Sequence, residues 1–101
     1  MRIYIAAPYS IGDVGVNVRN AINAAEQIVK LGHVPYIPHL THFWHMIFPR
    51  RYDWWLKYDL EWLDVCDAVY RLDGESDGAD REVEYAKANK RPVYYALQDI
   101  P

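Results

Sequence analysis

Cysteine is almost absent from this sequence: Cys66 stands alone, which excludes an internal disulfide framework. A lone cysteine fits a reducing compartment. Long hydrophobic runs are absent too, since the N-terminal segment is apolar only from Ile3 to Pro8. A secretory core needs roughly 7–15 apolar residues, and a membrane helix needs about 20. A cytoplasmic protein with no membrane partner is therefore expected. Basic charge is scarce: the net charge is −3, and basic residues gather only in short pairs such as Arg50-Arg51. A nucleic-acid polymer is accordingly not an expected partner. Repeats, linkers and low-complexity stretches are missing, so the 101 residues make one domain, 1–101. With 51% hydrophobic and 25% charged residues, extended disorder is excluded.

Aromatic residues are abundant instead, at 15%, with nine Tyr and four Trp. Two readings stand: a lined pocket or partner surface, or a Tyr-rich core with a half-wet surface. The elements read β-α-β-α-β-α-β. Ile3 to Ala7 is a nearly continuous apolar run stopped by Pro8, as in a buried strand. Ser10 to Val16 carries Gly12, Asp13 and Gly15 and reads as a loop. Asn17 then serves as N-cap for a helix with Val18, Ala21, Ile22, Ala25, Ile28 and Val29 at helical spacing, closed by Gly32. Val34 to Ile37 is a second strand, and Pro35 and Pro38 point to an irregular or edge position.

The stretch from His39 to Arg51 fits no single element, and a fifth strand has room between His39 and Tyr52. From about Tyr52 a helix puts Trp55, Leu56, Trp62, Leu63 and Cys66 on one face. Asp67 to Leu72 is a third strand, Asp73 to Gly78 a loop of turn formers, Ala79 to Asn89 a helix, and Pro92 to Leu97 a last strand. Alternating strands and helices predict an α/β three-layer sandwich with a small parallel sheet of four to five strands, Rossmann-like or flavodoxin-like. In such sheets ligands sit outside the C-terminal strand ends at the switch in strand order. The loops Pro8–Asn17 and Asp73–Gly78 are expected there.

Two carboxylates occupy unusual positions. Asp59 has Trp55, Leu56, Trp62 and Leu63 at −4, −3, +3 and +4, so it shares an apolar helical face. Such a carboxylate must be paired, protonated or functional. Glu82 has Gly78, Ala79, Tyr85 and Ala86 at the same offsets, a face of small residues that lets a ligand or backbone come close. Glu84 is the contrast, with Asp80, Arg81 and Lys87 around it on a solvated face. Glu82 therefore points inward, as a nucleophile or general base or as an acid favoured by the helix dipole.

Ser76-x-Gly78-Ala79 opens the same helix and reads either as an anion site or as a plain N-cap. Gly12-Asp13-Val14-Gly15 matches no dinucleotide or Walker loop. His39, His42 and His45 recur every three residues. They admit a metal site or, in preference, a wet aromatic–His surface or base-stacking wall.

These residues also carry a resemblance. Ile3-Tyr4-Ile5-Ala6-Ala7-Pro8, then Asp59-Leu60 with Cys66-Asp67, then Ser76-x-Gly78-Ala79-x-x-Glu82-x-x-x-Ala86 follow in order. Together they resemble the nucleoside 2-deoxyribosyltransferase-like family, near its deoxynucleoside 5′-monophosphate N-glycosidase branch, and its compact bacterial and phage members. The resemblance spans nearly the whole chain. It implies a retaining reaction in which Glu82 attacks C1′ of the deoxyribose, forms a covalent ester and releases the base. It implies that Tyr4 orients Glu82 and that Asp59 holds or protonates the leaving base. Ala7, Pro8, Ser76, Gly78 and His39 would line the substrate site. Trp and Tyr residues from Phe43 to Trp55 would stack on the base.

Ser at position 76, six before Glu82, resembles the monophosphate hydrolases; transferases tend to carry Asp there. The Arg of that branch after the first strand is replaced by Pro8-Tyr9-Ser10, leaving Ser10 or Arg19 to substitute. The resemblance implies a small-molecule deoxynucleoside or deoxynucleotide partner, a homodimer or higher homo-oligomer, and no metal or organic cofactor. Two other readings remain at this stage: a non-catalytic nucleotide-binding or sensor module of the same fold, and a metal-dependent hydrolase using the three His.

Overall fold

A computed structural model of the chain describes residues 1–101. Four strands form one sheet: β1 (Arg2–Ala6), β2 (Val34–Tyr36), β3 (Ala68–Arg71) and β4 (Val93–Tyr94). Their order is β2-β1-β3-β4, and every neighbouring pair is parallel. Four helices connect them: α1 (Val14–Lys30), α2 (His42–Ile47), α3 (Tyr52–Asp64) and α4 (Asp77–Ala88). Short 3₁₀ turns cover Pro38–Thr41 and Leu97–Asp99.

The layers follow from the alternation of β1. Ile3 and Ile5 point to one face, where they pack with Ala21, Ala24, Ala25 and Ile28 of α1. Tyr4 and Ala6 point to the other, with Leu63 of α3 and Ala79 and Ala86 of α4. A central parallel strand is covered on both faces, so it reads as an unbroken apolar run. The small alanines of α1 and α4 let the helix backbones approach the sheet. Burying one isoleucine here contributes about 1.5–3 kcal/mol.

Several boundaries differ from those read in the sequence. The N-cap of α1 is Asp13, whose carboxylate accepts from the Val16 amide. The helix thus starts before Asn17, whose side-chain amide donates instead to the carbonyls of Tyr9 and Ile11 and closes the loop. Ser76 caps α4, which begins at Asp77 rather than Ala79. No fifth strand lies between His39 and Tyr52. Pro38 starts a 3₁₀ turn that runs into α2, because proline suits a first helical position. The last strand shrinks from Pro92–Leu97 to Val93–Tyr94, since an edge strand with one neighbour yields to the turn at Leu97–Asp99. Trp62, expected on the buried face of α3, is 44% exposed. It covers Tyr36 of the edge strand, with ring centroids 5.4 Å apart. No helix is long and apolar enough to cross a membrane.

Candidate active site

The chain leaves β1 toward α1 on one face of the sheet and leaves β3 toward α4 on the other. β1 and β3 are neighbours, so their C-terminal ends form the switch point where a crevice opens. Pro8 ties the two loops together. A Cβ built on Gly74 would lie 2.8 Å from Pro8 Cγ, and Gly74 has φ +116°. Only glycine suits that close, left-handed position. A cavity of about 560 Å³ opens here, bounded by the first loop, the segment Pro38–Tyr52, α3 and the start of α4.

At its floor the Tyr4 hydroxyl donates to Glu82 Oε2. Tyr4 is fully buried and Glu82 is 6% exposed. Burial pushes Glu82 up to about 8; the Tyr4 hydrogen bond pulls it down, the Asp59 charge raises it and Arg71 lowers it. Asp59, on α3, lines the same cavity, and burial pushes it up to about 7. Its Oδ1 is buried without a hydrogen-bond partner. Two neighbouring carboxyls held above their ordinary range share protons near neutrality, and their titration belongs to the pair. One ionised and one protonated carboxyl can supply a nucleophile or base together with an acid.

Arg71, at the end of β3, is buried and anchors the next loop. It donates to the carbonyls of Leu72 and Gly74 and meets Asp80 at 3.0 Å. Ser76 Oγ accepts from the Ala79 amide at 3.1 Å, so it is the helix cap as well as part of the wall. Gly78 admits Tyr52: a Cβ there would lie 2.9 Å from the Tyr52 hydroxyl. The amides of Asp77 and Gly78, in the first turn of α4, have no intrahelical acceptor.

The three histidines do not converge. His39 Nε2 donates to the Pro8 carbonyl at 2.9 Å, which leaves Nδ1 as the unprotonated nitrogen, and burial lowers its pKa. His42 bonds the Tyr9 hydroxyl, and His45 Nδ1 accepts from Trp55 Nε1 at 2.7 Å. No group of three His, Cys, Asp or Glu side chains gathers anywhere.

Of the residues singled out in the sequence, Ala7, Ser10, His39, Asp59, Ser76, Gly78 and Glu82 line the cavity. Tyr4 lies behind Glu82. Pro8 is outside the lining and works through Gly74 and His39. Arg19 is an exposed residue of α1 and also lies outside it, because it falls off the helix face that buries Ala21, Ala24, Ala25 and Ile28. Tyr52 and Trp55, from the aromatic stretch expected to stack on the base, line the cavity too. Three residues escaped the sequence reading as site residues: Tyr9 and Arg50, which line the cavity, and buried Arg71. Arg50 left the signal of a basic pair, and Arg71 that of a cation closing a buried strand.

The family described as a domain of unknown function (DUF7768) matches residues 1–96. No curated protein matches the sequence. The fold is similar to that of a 2-deoxyribosyltransferase from the psychrotolerant bacterium Bacillus psychrosaccharolyticus. The TM-score is 0.69 at 21% identity, covering 92% of this chain and 69% of the other. That enzyme is described as a biocatalyst for the synthesis of antiviral and antitumoral nucleosides.

Proposed function

The chain belongs to the DUF7768 family, and we propose that it cleaves or transfers the N-glycosidic bond of 2′-deoxynucleosides or their 5′-monophosphates. The observation that carries this reading is the buried Tyr4–Glu82 pair beside Asp59 in one cavity. The similarity of fold to a 2-deoxyribosyltransferase supports it. Ionised Glu82 attacks C1′ through an oxocarbenium-like transition state. The C1′–N bond breaks, its electron pair stays with the base, and protonated Asp59 delivers the proton the base needs. The Tyr4 hydrogen bond and the Arg71 charge favour ionised Glu82, while no neighbouring cation lowers Asp59. In the empty site Glu82, at about 8, holds a shared proton ahead of Asp59, at about 7, so the reaction proceeds from the state in which that proton has moved to Asp59. Water or a second base then attacks C1′ of the ester, frees Glu82 and returns a proton to Asp59.

The test is chromatography of free nucleobase after incubation with a panel of deoxynucleosides and deoxynucleoside monophosphates. Wild type is expected to release base, and Glu82→Ala to lose roughly 10⁴-fold or more of the rate. Asp59→Asn is expected to lose about 10²- to 10⁴-fold. If no substrate yields base, even with a second base as acceptor, the glycosidic reading fails and a binding module of the same fold takes its place.

A further inference from the structure

Arg50 is the one Lys or Arg side chain on the cavity wall, which also carries Asp59, Glu75, Asp77 and Glu82. It sits between α2 and α3, half-buried. Its guanidinium carbon lies 4.3 Å from the ring centroid of Trp54, 5.2 Å from Trp44 and 5.7 Å from Trp55. Those indoles pack edge to face on one another, with centroids 6.1, 5.2 and 4.9 Å apart. The backbone is pinned as well, because the Arg50 amide donates to His45 Nδ1 at 3.3 Å. The cation is therefore held before any ligand arrives, which reduces the ordering cost of binding.

Its donors are nevertheless almost unused. The other arginines around the site are paired: Arg71 with Asp80, Arg81 with Asp77 and Arg51 with Asp53. Arg50 forms no ion pair, and its one hydrogen bond from the side chain reaches the Phe48 carbonyl at 3.5 Å. A guanidinium over ring faces keeps its fork of N–H donors free for an anion, and its charge persists at every working pH. The start of α4 is a poorer anion site. The Glu75 and Asp77 carboxylates flank it and repel an anion.

We propose that Arg50, stacked on Trp44, Trp54 and Trp55, binds the phosphate group of the ligand and selects nucleotides over nucleosides. The nucleoside part of that ligand rests on the glycosidic reading; the phosphate part does not.

The experiment measures binding by calorimetry in Glu82→Gln protein, which removes the reacting carboxylate. The titrants are a deoxynucleoside, its 5′-monophosphate and inorganic phosphate. The monophosphate is expected to bind about tenfold or more tighter than the nucleoside, the range of a charge-assisted hydrogen bond. Arg50→Gln should erase that advantage while nucleoside affinity stays. Arg50→Lys should keep part of it, and Arg51→Gln, at the exposed neighbour, should keep all of it. Equal affinities, or an advantage that survives Arg50→Gln, overturn the assignment. Inorganic phosphate that binds through Arg50 with no preference for the nucleotide assigns the site to free phosphate and overturns nucleotide selection. Phosphate binding through Arg50 with no nucleoside or nucleotide bound sinks the glycosidic reading and leaves Arg50 as an anion site. Near-ultraviolet circular dichroism of the Trp cluster checks that each variant keeps its fold.

Discussion

Tyr4 acts on Glu82 through one buried hydrogen bond. That bond and the Arg71 charge are the two influences that pull Glu82 down against its burial. Removing the hydroxyl leaves burial less opposed, so Glu82 in Tyr4→Phe titrates at a higher pH than in wild type. In base-release assays the wild-type profile of kcat/KM is expected to be bell-shaped, with its optimum between about 7 and 8. Tyr4→Phe should move the alkaline limb upward and lower the maximum, because Glu82 has the higher of the two values. An alkaline limb that stays in place would show that the hydroxyl does not act on Glu82.

At the scale of elements, the two loops at the strand ends depend on two glycines for different reasons. Gly74 combines φ +116° with a Pro8 ring that cannot swing away. Gly74→Ala is expected to cost about 1–3 kcal/mol through strain and to separate the loops. Gly78 has a helical backbone, and the atom in its way is the end of the Tyr52 side chain. Gly78→Ala should displace that hydroxyl and leave the melting temperature unchanged or raised, since alanine favours helix. Thermal melts of the two variants compare them directly; similar losses would contradict this account of Gly78. Helix faces were legible in the sequence, and Asp59 and Glu82 were found by their neighbours at helical spacing. The segment Pro38–Tyr52 was not, because a 3₁₀ turn and a short helix leave too few turns for a period to show.

At the scale of the whole molecule, Asp59 and Glu82 make stability depend on pH. Their folded values of about 7 and about 8 stand above the ordinary 3.8 and 4.5. The folded chain therefore keeps protons that the unfolded chain has released. Stability from these groups is fully present below the ordinary values and is lost as pH rises through the folded ones. His39, lowered by burial, acts in the opposite direction below its ordinary 6.5, so the informative quantity is a difference. The melting temperature of Asp59→Asn relative to wild type should increase from pH 5 to pH 8. A constant difference would mean that Asp59 is not held protonated.

The sequence by itself determined the alternation of strands and helices, the parallel sheet between helices and the inward faces that carry Asp59 and Glu82. These are local properties, written in periods of two and of three to four residues. The tertiary structure alone decided what meets across the chain. Tyr4 reaches Glu82 over a separation of 78 residues, and His39 reaches the Pro8 carbonyl over 31. Arg19 sits on the solvent side of α1, away from the cavity. In the sequence Arg50 is only half of a short basic pair, Arg50-Arg51; in the fold three indoles from two helices surround its guanidinium. Spacing in sequence encodes which face a side chain takes, whereas its partners depend on how the faces of different elements pack.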